Sequence, residues 1–176
     1  MENREIDLKP ITHITTDAIG EPGMRVFYVQ AQSEDETTTV LVEKIQIQTL
    51  AIGVEQFLTE LTERFPDLPV AESDYDESDM HIQPPVDPLF RAGELGLAYE
   101  QEGDFLILVA RENLSEDIPL EESRLIRFWC SRTQLRTMCR WGMEVVGKGR
   151  KTCPLCGEAM ESEEHFCVKK NGHKNK

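Results

Sequence analysis

The chain has 176 residues, 39% hydrophobic and 30% charged, which suits one domain with a small appendage. Its formal net charge of −14 repels phosphate, which argues against a general nucleic-acid or anionic-membrane binder. No apolar run is long enough for a transmembrane helix, and Met1 to Pro10 carries Glu2, Glu5 and Asp7 with no apolar core, so no secretory leader is expected. The expected compartment is the reducing cytoplasm, where the five cysteines serve as thiols or metal ligands instead of disulfides.

In chain order, Ile11–Ile19 reads as a strand, and Gly20-Glu21-Pro22-Gly23 supplies turn chemistry. Arg25–Gln32 and the β-branched Thr37–Glu43 read as two more strands. The period then changes. Ile47, Leu50, Val54, Phe57, Leu61 and Phe65 step by three and four along one helical face, which Pro66 ends. A connector over residues 66–89 follows, rich in proline, with five acids and no base between Ala71 and Asp79; it reads as solvated. Asp74, Asp76 and Ser78 have the spacing of a calcium loop, but Asp79 replaces the turn glycine and Pro85 the bidentate acid, so no calcium site is expected.

The second half repeats the plan. Phe90–Ala92 and Leu97–Tyr99 flank Gly93-Glu94-Leu95-Gly96 as a bent strand, and Phe105–Ala110 and Arg124–Cys130 are two further strands. Leu135, Met138, Gly142 and Val145 then mark a helical face. Gly-Glu-x-Gly occurs in both halves at an offset of 73, and Gln46 and Thr49 match Gln134 and Thr137 at an offset of 88. The expectation is an α+β fold of two duplicated βββα units, an antiparallel sheet packed with two helices in a pseudo-twofold core, with the extra residues in the Asn113–Ser123 loop. The body is residues 1–147, with halves 11–65 and 90–147 and net charge −17; the tail 148–176 carries +3.

The tail holds Cys153-Pro154-Leu155-Cys156, then His165-Phe166-Cys167. Two thiolates three residues apart grip one ion in a tight turn, and residues i and i+2 of an extended strand face it together. Cys153, Cys156, His165 and Cys167 make a closed Cys3His zinc knuckle, one structural Zn2+ with no position left for water. His173 is a reserve ligand in a terminal segment.

The chain resembles an uncharacterised bacterial family of unknown function. The resemblance lies in Gly20-Glu-Pro-Gly-Met-Arg-Val-Phe-Tyr-Val-Gln30, Val42–Gln46, Phe90–Leu97, and Cys153-Pro-Leu-Cys156 through His165-Phe-Cys167 to Gly172, with Glu164 where the family places glycine. It implies no assigned activity. It also implies neighbouring genes for a histidine-phosphatase-like and a kinase-like protein, and so phosphate chemistry in the same pathway.

Catalytic patterns are thin. His13 and His81 lack a nucleophile or paired carboxylate at a diagnostic spacing, Cys130 and Cys139 read as core thiols, and the Gly-x-x-Gly turns lack the Lys-Ser/Thr of a phosphate loop. Arg132, Arg136 and Arg140 recur every four residues beside the second helix's apolar face. They either pair with the body's acids or form a stripe that docks an anion or a partner. The leading expectation is a non-enzymatic zinc protein that acts as a protein-interaction or adapter module. A nucleic-acid or phosphate-ligand binder using the arginines and basic tail is the second reading, and an enzyme with an unrecognised site the third. No membrane partner is expected, and the sequence leaves the oligomeric state open.

Overall fold

The structure, a computed structural model, describes residues 4–148, 151–152 and 159–160. Its elements are β1 (Glu5–Leu8), β2 (His13–Ile19), β3 (Val26–Gln32), β4 (Thr37–Val42), α1 (Lys44–Arg64), β5 (Pro88–Glu100), β6 (Phe105–Glu112), β7 (Leu125–Cys130), α2 (Arg132–Lys148), β8 (Lys151–Thr152) and β9 (Ala159–Met160). The α+β class and the order of three strands and a helix, twice, are as the sequence indicates.

The sheet departs from expectation. It is mixed, with seven strands in the order β1-β7-β6-β5-β4-β3-β2. β4 pairs parallel with β5, and β1 pairs parallel with β7. β1 was not foreseen: only Ile6 and Leu8 are apolar in it, and its pairing partner lies over a hundred residues away. Each half is an antiparallel meander, and α1 provides the crossover that parallel neighbours need.

The sheet must curl. Seven flat strands at about 4.8 Å spacing would separate β1 from β2 by about 29 Å. Yet only residues 9–12 join these two edge strands. Five residue steps, Leu8 to His13, span at most about 18 Å. The edges are therefore drawn together, and one hydrophobic cluster runs from Leu8 and Ile14 through Val29, Val54 and Leu108 to Trp141 and Val146.

The pairing registers of the two halves correspond residue for residue. Thr16 pairs with Val29, and Val29 with Val40; Leu97 pairs with Leu108, and Leu108 with Phe128. The parallel junctions correspond too, Thr39 to Pro88 and Arg127 to Asp7. The offset is 81 in the first strand and 88 in the third strand and helix. The shared Gly-Glu-x-Gly letters do not follow this correspondence. Gly20 and Gly23 take positive φ in the β2–β3 turn, whereas Gly93 and Gly96 lie inside the single long strand β5. A Cβ on Gly20 would meet the Met24 carbonyl at 2.9 Å, so that turn requires glycine. The connection between the second and third strands is four residues in the first half and twelve in the second, which places eight extra residues at 113–124.

The helices run antiparallel: Arg136 reaches Glu55, while Gly142 lies against Ile47. α1 buries Ile47, Leu50, Val54, Leu58 and Leu61, and Phe65 caps its end before Pro66. α2 buries Leu135, Met138, Cys139, Trp141, Gly142, Val145 and Val146. Arg25, just past the Gly20–Gly23 turn, donates to the Val145 and Val146 carbonyls at 2.8 and 3.3 Å. It satisfies acceptors that the end of α2 would otherwise leave open.

Candidate functional site

The arginine stripe holds the connector. Arg132 donates to the Pro69 carbonyl at 2.7 Å, Arg136 to the Ala71 carbonyl at 2.6 Å and Arg140 to the Ser73 hydroxyl at 2.7 Å. The backbone N–H of Glu72 donates to Thr133 Oγ1 at 3.0 Å, and Lys148 pairs with Glu77 at 2.6 Å. The spacing explains the ladder. Four helical residues advance about 6 Å, and two extended residues about 6.6 Å, so every turn of α2 meets every second connector residue. The expectation of a solvated connector is thus corrected: Ala71 and Met80 are buried, and Tyr75 and His81 stand edge-on to Trp141 at 5.7 and 5.3 Å. Composition indicated a loop, but the loop's partners come from elsewhere in the chain.

The three arginines differ in what else they touch. Arg132 is buried and forked on Asp104, with Nε and Nη2 at 2.8 and 3.0 Å from its two oxygens. The Arg132 hydrogen bonds hold the Asp104 carboxyl below its usual range. Tyr99 donates to the same carboxylate at 2.7 Å, and burial, with that bond, pushes its phenol up to about 12. Arg136 is forked on Glu55 at 2.8 and 3.1 Å. Arg140 is exposed, and among the described residues the Ser73 hydroxyl is its hydrogen-bond partner, with no carboxylate paired to it. Two of the three therefore pair with acids of the body, and Arg140 keeps its charge available.

Arg140 stands at a groove of about 580 Å3 between α1 and α2. Ala51, Ile52, Cys139 and Met143 form its apolar lining, and Glu55, Gln56, Ser73 and Arg136 add polar groups. Ile52 and Met143 are 61% and 42% exposed, so apolar surface lies beside the Arg140 guanidinium. Burial pushes the Cys139 thiol up to about 12 and the Cys130 thiol up as well, which makes both poor nucleophiles, as core thiols should be. The sequence showed the arginines but not this groove, because its walls come from helices brought together only by folding.

The remaining residues singled out in the sequence lie apart. His13 is on β2, with Nε2 enclosed and without a hydrogen-bond partner among the described residues. His81 faces Asp17 at 3.2 Å. Asp76 accepts from the Ser78 amide and hydroxyl at 3.0 and 2.8 Å, an internal cap of a short helical turn. Cys153, Cys156, His165, Cys167 and His173 lie outside the described residues. The backbone on either side of the first pair is described: β8 and β9 form an antiparallel ladder, Lys151 opposite Met160 and Thr152 opposite Ala159. The six residues joining these strands contain both cysteines of the Cys-x2-Cys motif.

A curled mixed sheet packed with two antiparallel helices, a strapped connector and the short β8–β9 ladder make up the described fold. The chain belongs to the family described as "Protein of unknown function (DUF3090)", whose match spans residues 6–167, from β1 to Cys167. No curated protein and no solved structure matches the chain. No helix among the described residues is long and apolar enough to cross a membrane.

Proposed function

We propose that this chain is a non-enzymatic, zinc-containing interaction module that docks an acidic, partly apolar segment of a protein partner in the groove between α1 and α2. The observation that carries this reading is Arg140. Among the described residues it is the member of the arginine ladder without a paired carboxylate, and it borders exposed Ile52 and Met143. A guanidinium beside apolar surface suits a segment that alternates acidic and apolar side chains. The body's net charge of −17 makes a local cation a discriminating feature for such a segment.

The test is fluorescence polarisation with labelled amphipathic acidic peptides at two salt concentrations. Saturable binding that weakens with salt, and falls in both Arg140→Gln and Ile52→Glu, supports the reading. Binding indifferent to both substitutions, or none, removes it. Retention of RNA in place of peptide would favour the nucleic-acid alternative.

In the tail, Cys153, Cys156, His165 and Cys167 are proposed to hold one structural zinc in a cytoplasmic protein. The β8–β9 ladder supports this, because it pairs the chain immediately before the Cys-x2-Cys segment with the chain two residues after it. The family match ends at Cys167, so the four ligands fall within it and His173 outside it. A tandem duplication of a βββα unit with a pseudo-twofold core is also proposed, supported by the register correspondence between the halves.

A further inference from the structure

The helix of the second unit carries a large ring where the helix of the first carries none. At the offset of 88, Trp141 of α2 corresponds to Gly53 of α1. At the offset of 81, Thr16 of β2 corresponds to Leu97 of β5. Trp141 is 1% exposed, wedged between α2 and β2, and its Nε1 donates to the Thr16 carbonyl at 2.8 Å. On the other side, a Cβ on Gly53 would meet only Leu97 Cδ1, at 3.9 Å. A groove of about 460 Å3 opens there between α1 and β5.

The groove has the parts an aromatic ring needs. Ile45, Leu50, Leu95 and Leu97 supply aliphatic walls, and Gly53 and Gly96 leave bare backbone on both sides. The groove's volume falls within the range of about 300–1,000 Å3 that ligand pockets occupy. Glu94 is the charged residue of the lining, so the site favours a hydrogen-bond donor and disfavours an anion. At the near end, Gln46 Nε2 is already engaged with the Ala92 and Gly93 carbonyls at 3.2 Å each. The acceptor equivalent to the Thr16 carbonyl is that of Leu97.

The geometry points to a binding site for a planar aromatic ring with an N–H donor, indole in class, seated between α1 and β5 as Trp141 is seated between α2 and β2. The ring would stack between aliphatic walls and donate to the strand edge. This site is separate from the α1/α2 groove, and its success or failure leaves the reading of Arg140 untouched.

The experiment uses the full chain, 15N-labelled, titrated with 5-fluoroindole and, in a second arm, with an extended heptapeptide centred on tryptophan. Saturable shifts centred on the Gly53 and Gly96 amides are expected in at least one arm. Response to the peptide alone would make a polypeptide the source of the ring, and response to the indole would make it a free heteroaromatic. Gly53→Trp, which places a ring in the groove, and Thr49→Phe, which narrows it from one helical turn before Gly53, should each reduce binding at least tenfold. No saturable shift in either arm, shifts centred elsewhere, or full affinity in a folded Gly53→Trp or Thr49→Phe variant overturns the assignment.

Discussion

Gln46 and Gln134 hold the same position in their helices, and each ties its helix to the other half of the chain. The Gln46 Oε1 accepts from the Glu43 backbone N–H at 2.8 Å, and the Gln134 Oε1 accepts from the Ser131 backbone N–H at 2.8 Å. The Gln46 Nε2 then donates to Ala92 and Gly93 of the second half, while the Gln134 Nε2 donates to Ile11 of the first at 3.0 Å. One amide thus closes a helix N-terminus and fixes that helix against the backbone of the other half. The exchange is reciprocal, so neither half keeps its helix to itself.

This double role predicts asymmetric results from two substitutions. Gln→Ala at either position loses both bonds and should cost about 1–2 kcal/mol. Gln→Glu retains the acceptor at the helix start but loses the donor to the other half's backbone, and brings a carboxylate against carbonyl oxygens. It should therefore cost at least half as much as Ala, despite being an excellent capping residue elsewhere. Urea unfolding of the four single variants checks this. Full stability in both Glu variants would show that only the cap matters.

The helices, their ends and the order of elements were legible because each is written locally. A three-to-four period over Ile47–Leu61 and Pro66 after it need no distant partner. The repeat of Gln46 in Gln134 was legible for the same reason, and it marks equivalent atoms. The Gly-Glu-x-Gly match misled, since the same letters serve a turn at Gly20 and a strand interior at Gly93. β1, the parallel β4–β5 junction and the connector's attachment were not legible. Ile6 and Leu8 alone do not announce a strand, and nothing near Pro69 announces Arg132. The Arg140 groove has the same origin, in helices joined only by tertiary packing.

Two glycines, one in each helix, predict opposite responses to alanine. Gly142 lies where α2 crosses α1 and β2, and a Cβ there would meet Ile47 Cγ2 and Thr16 Cγ2, both at 2.9 Å. Those methyls sit on β-branched side chains with little freedom, so Gly142→Ala should destabilise by about 1–3 kcal/mol. Gly53 has open space, and Gly53→Ala should stabilise α1 by up to about 1 kcal/mol. Thermal unfolding of the pair decides it, and a Gly142→Ala protein as stable as the parent would contradict the close crossing.

The ladder predicts a graded series instead of three equal effects. Arg132→Gln removes a buried cation that holds Asp104 and the Pro69 carbonyl, and should cost about 2–4 kcal/mol. Arg136→Gln should cost less, since Glu55 is more exposed, and Arg140→Gln about 0–1 kcal/mol. Limited proteolysis reads the second consequence. Cleavage within residues 66–87 should accelerate in the same order, because each arginine holds one point of that segment. Equal cleavage in all three variants would detach the ladder from the connector's order.

Asp104 links the same network to pH. Its carboxyl is lowered in the folded chain by the Arg132 hydrogen bonds and by Tyr99. A depressed acid contributes stability that is fully present above its unfolded value, near 3.8, and is lost as pH falls through the lower folded value. Stability should therefore decline below about pH 4 more steeply in the parent than in Asp104→Asn. Asparagine suits this test, since residue 104 has φ of 55° and asparagine tolerates that region. Denaturant midpoints between pH 2 and 7 supply the comparison, and identical slopes in the two proteins would show that Asp104 titrates without coupling to folding.

The zinc proposal predicts one equivalent of metal per chain and a divided response to its removal. Cys153→Ser with Cys156→Ser should abolish zinc by elemental analysis, because two remaining ligands rarely hold the ion against a chelator. His173→Ala should leave the stoichiometry intact, as that residue follows the family match. Among the described residues the seven strands and two helices pack into one core, so chelation should leave the main unfolding transition within a few degrees of its original midpoint. The structural change should be confined to the last 25 or so residues, since four ligands close only local loops. Full zinc in the double serine variant would refute the ligand set. Loss of the main transition on chelation would instead join the tail to the core, and would place the metal among the determinants of the whole fold.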